Sequence, residues 1–305
     1  VRSLQVTKTE KARLALQELG ISEVTREATI QLRASPEKLA RLAWAVASLR
    51  RSDVFFDELG LLLEGSELAA FEAKHLANVA WSFASSKAGS HSRLLLQIGL
   101  DVSTRGDGCF KVQELSNLAW AFAALLLKCE PLISTVAKAV DARLDEFKPQ
   151  EISNTIWSFA KWSCKPSDAL RKRAFQIAET FSAQQLSNIC WSCAVMMLKD
   201  AALVGILADH ACKSIGFFNQ QALTNTAWSL AVLRIIHEGL LASLAERCLA
   251  KGFRGFAAQH LANLAWSSAV LQHGQAFAEE GFCSCLRDEA MSRLPEMKSQ
   301  ELANL

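Results

Sequence analysis

The 305-residue sequence predicts an all-α protein, a right-handed α-solenoid superhelix of helix-turn-helix repeats. A tryptophan-centred motif recurs at near-constant spacing, the stretches between its copies have helical periodicity, and a chain with no Tyr, 5 Pro and 14 Gly suits continuous helices with short connections. The copies are LARLAWAVAS from Leu39, LANVAWSFAS from Leu76, LSNLAWAFAA from Leu115, ISNTIWSFAK from Ile152, LSNICWSCAV from Leu186, LTNTAWSLAV from Leu223 and LANLAWSSAV from Leu261. ELANL, ending at Leu305, opens an eighth. The aligned tryptophans, Trp44, Trp81, Trp120, Trp157, Trp191, Trp228 and Trp266, lie 37, 39, 37, 34, 37 and 38 residues apart, the period of a two-helix solenoid unit. Residues 1–305 are therefore expected to form a single helical-repeat domain of about seven complete units and a truncated eighth, a piece of a longer protein.

Each unit opens with a Phe ten residues before its Trp: Phe71, Phe110, Phe147, Phe181, Phe218 or Phe256, with Ala34 in the first copy. Pro36 and Pro149 fit a first helical turn, where a missing N–H costs nothing. After the motif helix comes a second, exemplified by EPLISTVAKAVDARLDEF from Glu130 to Phe147, whose apolar spacing fits four to five turns. On a helical wheel the Leu five before the Trp, the two residues just before it and the residue two after it form the packing stripe. The Gln seven before, the small residue four before, the Asn three before, the Trp and the Ser after it fall on the opposite side. Small residues bring helices close and aromatic rings fill wider gaps, so the Trp serves inter-repeat packing or, if exposed, base stacking.

Three sets of polar residues are candidate ligand contacts. The first is common to the repeats: Asn78, Asn117, Asn154, Asn188, Asn225 and Asn263, with Gln113, Gln150, Gln184, Gln221 and Gln259. An amide repeated inside a helix gains something for its mediocre propensity, either a structural ladder between helices or a bond to a ligand common to every unit. The second set is the residue six before the Trp, which varies as a sequence reader must: Lys38, His75, Glu114, Glu151, Gln185 and His260, with Ala222 and Glu301 in the remaining copies. First-turn acids there also suit the helix dipole. The third set supplies phosphate contacts: Arg50, Arg51, Arg171, Lys172, Arg173 and Arg254, beside Arg247 and Lys251.

With a net charge of +2, basic surface must come from uneven distribution. No apolar run has the length of a membrane span. Nine cysteines without regular spacing do not make a disulfide framework; Cys190 and Cys193 in CWSC fall on the repeat's own small and apolar positions, and Cys283 and Cys285 lack a second pair for zinc. GDGCF at Gly106 is a loop without a phosphate-loop Lys. No nucleophile or paired-carboxylate motif is visible, so a non-enzyme without metal or cofactor is expected.

SPEKLARLAWAVASL from Ser35 and FAAQHLANLAWSSAVL from Phe256 resemble the octotricopeptide repeat, and are similar to the helical repeats of FAST-kinase-domain proteins. The resemblance covers Pro36 to Leu305; the Ser after the Trp and the divergent second helix depart from it. It implies an RNA-binding solenoid of mitochondria or chloroplasts, contacting single-stranded RNA at about one nucleotide per unit and often followed by a RAP domain. The expected task is RNA stability, processing, translation or ribosomal RNA organisation. The alternative is a protein–protein scaffold in an organellar complex, with other proteins as partners and no membrane.

Overall fold

The computed structural model describes residues 35–49, 53–64, 67–88, 91–271, 277 and 279–304, together with 11 and 14. Arg50, Arg51, Ala34 and Leu305 lie outside the described residues. Among those described there is no strand, and the helices come in pairs. They are α1 (Pro36–Ser48) with α2 (Asp53–Glu64), α3 (Ala73–Ser85) with α4 (Ser92–Arg105), α5 (Val112–Ala124) with α6 (Glu130–Arg143), and α7 (Pro149–Lys161) with α8 (Asp168–Gln176). The series continues with α9 (Ala183–Val195) and α10 (Ala201–Ser214), α11 (Gln220–Leu233) and α12 (Glu238–Lys251), α13 (Ala258–Val270) and α14 (Glu280–Ser292), and the short α15 (Ser299–Ala303). Odd-numbered helices carry the motif; even-numbered ones are the variable partners.

By its packing the chain divides into two compact units, Val1–Trp162 and Ser163–Leu305. In the first unit α1 packs on α3, α3 on α5 and α5 on α7, while α2, α4 and α6 pack in the same succession. In the second, α9, α11, α13 and α15 form one layer, and α8, α10, α12 and α14 the other. Consecutive packing of like helices is the α-solenoid arrangement, since no repeat hides its apolar surface alone.

The helix starts follow their sequences. Pro36 and Pro149 occupy the first turns of α1 and α7, and Ser35, Ser182 and Asn219 cap α1, α9 and α11 through their side-chain oxygens. The second helix of a repeat ends sooner than its apolar pattern suggests: α6 stops at Arg143, and a 3₁₀ turn, Leu144–Glu146, leads to Phe147. Equivalent turns precede Phe71, Phe110, Phe181, Phe218 and Phe256. Each Phe has extended backbone and a buried ring, so it redirects the chain while filling the gap between layers.

Motif helices end in the left-handed conformation at Lys87, Leu126, Ser163, Met197 and Arg234, six residues after each Trp, with φ between 51° and 58°. At α5 the Leu127 N–H donates to the Phe122 carbonyl (2.8 Å) and the Leu126 N–H to that of Ala123 (3.2 Å), the double bond of a Schellman turn. Glycine normally occupies that position; none does in these five copies.

One expectation about the wheel is corrected. The small residue four before the Trp and the Ser after it do not share the polar face: Ser116, Ser153, Ser187, Thr224, Ser82, Ser158, Ser192, Ser229 and Ser267 are all buried. A motif helix flanked by two others as well as a partner layer hides more than one stripe, and only small residues fit where its neighbours approach. The hydroxyls after the Trp find partners within their own helix, donating to the carbonyls of Asn78, Asn154, Asn188, Asn225 and Asn263 at 2.5 to 2.7 Å. Ser187 Oγ instead reaches across to the Ala222 carbonyl of the next motif helix, at 3.2 Å.

Candidate nucleic-acid interface

What remains accessible on each motif helix is a narrow stripe. Gln113, Gln150, Gln184, Gln221 and Gln259 are exposed, and Asn78, Asn117, Asn154, Asn188, Asn225 and Asn263 are half-buried. The seven aligned tryptophans are half-buried too. Offsets of minus seven, minus three and zero fall within about 60° of one another at 100° per residue, so amide, amide and indole line up along the helix. Because like helices pack in succession, α5 and α7 in the first unit and α9, α11 and α13 in the second present this triplet on one helix after another, while α3 has Lys74 in place of the Gln and α1 has Glu37 and Arg41 in place of both amides. Along it the amide side chains of Asn78, Asn117, Asn154, Asn188 and Asn225 make no hydrogen bond among the described residues. Asn304 Nδ2 donates to Asn263 Oδ1 at a long 3.5 Å. Donors and acceptors of the stripe are thus available to a ligand.

Indoles of neighbouring repeats also touch. Trp120 and Trp157 stack with ring centroids 6.4 Å apart and planes 29° from parallel, and the Lys161 ammonium lies 5.4 Å from the Trp157 ring. Trp120 and Trp157 therefore combine packing between repeats with partial exposure. Trp162, outside the repeat register, is buried and donates its Nε1–H to the Leu127 carbonyl at 2.8 Å.

The variable position six before the Trp has another occupation. It is the third residue of the helix, and its side chain folds back onto the backbone N–H at the N-cap. His75 Nδ1 accepts from Glu72 (3.3 Å), Glu114 Oε2 from Lys111 (2.8 Å), Gln185 Oε1 from Ser182 (2.8 Å) and His260 Nδ1 from Ala257 (3.2 Å). This is the return half of a capping box, and it explains why most of these residues have a hydrogen-bond acceptor. Glu151 is buried with one carboxylate oxygen unpartnered, and Lys38 is exposed. Burial holds the imidazoles of His75 and His260 below the ordinary value of 6.5, in keeping with an Nδ1 that must stay unprotonated to accept.

The proposed phosphate contacts scatter. Arg171 is engaged by Asp168 and by Asp200 (3.1 Å), Arg247 donates to the Gly216 carbonyl at 2.7 Å, and Arg173 is half-buried. Lys172 and Lys251 are exposed on the partner helix α8 and at the end of α12, and Arg254 is exposed in the turn that leads from α12 into α13.

Other arginines have a structural role that the sequence reading missed. Arg105 donates to the carbonyls of Phe71 (2.6 Å) and Leu68 (2.8 Å), and Arg143 to those of Asp107 (3.0 Å) and Phe110 (2.8 Å). Arg293 likewise donates to the Phe256 carbonyl. Each reaches from the end of a partner helix into the turn of the preceding repeat. The signal was an Arg four or five residues before Phe110, Phe147 and Met297.

Burial raises the thiols of Cys190 and Cys193, the latter to about 12, so neither is a ready thiolate. Among the described residues no His, Cys, Asp and Glu group has the arrangement of a metal site, and no helix is long and apolar enough to cross a membrane.

No curated protein matches the chain. Residues 37–276 match a family described as RNA-editing substrate-binding complex 6 protein. That span starts in α1 and runs past α13, so it takes in every motif helix but the last and the whole amide–indole stripe from Asn78 to Trp266. By that match the chain belongs to the RNA-editing substrate-binding complex 6 protein family.

Proposed function

We propose that this chain is a non-catalytic RNA-binding subunit of a mitochondrial RNA-handling complex, holding single-stranded RNA along its motif helices in the manner of octotricopeptide repeats. The observation that carries the reading is the repeated stripe of exposed Gln, unpartnered Asn and half-buried Trp. Amides bond equally to sugar hydroxyls, phosphate oxygens and base edges, and indole edges take unstacked bases, so the set suits a ligand with the same chemistry at every step. The family's description, a complex that binds RNA-editing substrates, supports the same ligand.

A stripe that is the same on α5, α7, α9, α11 and α13 grips a strand without reading its sequence, and the capping duty six residues before the Trp leaves little there for reading bases. A second reading, a protein scaffold within such a complex, draws support from Arg105, Arg143, Arg247 and Arg293, whose guanidinium groups bind the protein's own carbonyls.

Binding of the full chain to labelled single-stranded RNA and to its duplex, with an Asn117→Ala, Asn154→Ala, Asn225→Ala variant alongside, tests the proposal. Preference for the single strand and weakened binding by the folded variant are expected. A chain that binds neither RNA at low salt transfers the assignment to the scaffold.

A further inference from the structure

Cationic side chains on the motif layer are more numerous in the first unit than in the second, where they are Arg234 at the end of α11 and Lys298 at the cap of α15. The exposed Lys111 and Lys148 are the N-cap residues of α5 and α7, and α7 ends at the exposed Lys161 beside Trp157. Lysine is a poor choice for a helix N-cap: it has no acceptor for the free backbone N–H groups, and its charge opposes the positive end of the helix dipole. Ser35, Ser182 and Asn219 show the stabilising choice at the same register. Lysine stands there at α5, at α7 and, as Lys298, at α15 of the second unit; only at α5 and α7 do two such helices pack side by side.

Since α5 packs on α7, Lys111 and Lys148 are neighbours in equivalent positions, with Gln113, Asn117, Gln150 and Asn154 running from them towards the stacked Trp120 and Trp157. Of the acids nearby, Glu114 accepts from the Lys111 backbone N–H and lines the same cleft as Lys111, and Glu151 is buried. Lys111 also borders an open cleft of about 600 Å³, lined by Glu72, Lys74, Cys109, Phe110 and Arg143 besides, where Glu72 is paired with Lys74.

We propose that the α5–α7 pair is the anchoring centre for the strand's phosphates, with Lys111 and Lys148 at one end, Lys161 at the other, and bases against the Trp120–Trp157 edge between them. The inference rests on the RNA-binding reading above. It locates the electrostatic grip on the first unit's motif layer and excludes Lys172, Lys251 and Arg254 from it.

The test uses the full chain and labelled oligouridine, read by anisotropy over a potassium chloride series. Lys111→Gln, Lys148→Gln, Lys161→Gln is set against Lys172→Gln, Lys251→Gln, Arg254→Gln, which removes the same charge from α8, the end of α12 and the turn after it, and thermal unfolding shows that both are folded. The motif-layer triple is expected to lose about 2 from the slope of log affinity on log salt, because each single-strand phosphate contact contributes about 0.7. The other triple should keep the parental slope. A reversed result, or equal losses, overturns the location while leaving RNA binding intact. Failure of the parental chain to bind overturns the functional reading itself, and binding of polyglutamate with the same slope and affinity overturns the nucleic-acid assignment.

Discussion

In the first unit the motif helices contain, or are capped by, Lys38, Arg41, Lys74, Lys111, Lys148 and Lys161. In the second, the bodies of α9, α11 and α13 and their N-caps Ser182, Asn219 and Ala257 hold no Lys, Arg, Asp or Glu, and charge on the motif layer is confined to Arg234 at the end of α11 and to Lys298 and Glu301 at α15. Apolar positions, buried hydroxyls, amide stripe and capping geometry are nonetheless shared. The fold is thus written in the shared positions, and charge at the helix ends is left free to differentiate one part of the array from another. Nearest-neighbour packing permits this, because a repeat needs only to match the surface beside it.

The largest expected effect tests the shared part. Phe147→Ala in the first unit and Phe218→Ala in the second, each removing a buried ring, should both cost about 3–5 kcal/mol in urea unfolding. A cost below about 1 kcal/mol at either would mean that the layers close over the gap there and the grammar is not common.

Next come the arginine ties. Arg143→Met removes bonds to two carbonyls and to Glu146, so a loss of about 2–3 kcal/mol is expected, whereas Arg247→Met, with one bond to Gly216, should lose about 1–1.5 kcal/mol. Equal losses would mean that burial of the stem, rather than bonding, sets the effect.

Acid should act on both units. His75 and His260 have values lowered by burial, so their stabilising contribution is complete above about pH 6.5 and declines as pH falls towards the folded-state value, where only the unfolded chain has taken up protons. Gln185 performs the same capping without titrating, and His75→Gln or His260→Gln should flatten the slope of stability between about pH 6.5 and 5. An unchanged slope in both variants would remove the caps from the acid response.

Smallest is a gain. Leu126→Gly in the first unit and Met197→Gly in the second relieve a left-handed residue with an exposed side chain, and should each stabilise by about 0.5–1 kcal/mol. A loss at either would show that its side chain makes a contact worth more than the strain.

The period, the helix pairing and the start of α1 at Ser35 were legible because they depend on residue type and spacing alone. The stripe was legible in part: Gln, Asn and Trp do face outwards, but Ser158 and Ser153 do not, since a wheel drawn for one helix assumes one buried side and a helix inside a layer has three. The capping bonds of Glu114 and His75 were not legible, because rotational position says nothing about a helix end, where N3 side chains bend back to the cap. The Schellman turns escaped notice for want of a glycine at Leu126 or Met197. The grip on α5–α7 needed the structure, as Lys111 and Lys148 are 37 residues apart in sequence.

The ties made by Arg105, Arg143, Arg247 and Arg293 all join residues 31 to 37 apart, and none skips a repeat. Contacts of such limited range put the chain among low-contact-order proteins, able to nucleate at any adjacent pair of repeats and to fold quickly from there. Stretched from its ends, it should yield in small successive steps, one clasp at a time, instead of in a single rupture. A strand lying across several repeats would then resist extension in proportion to the number of clasps it spans.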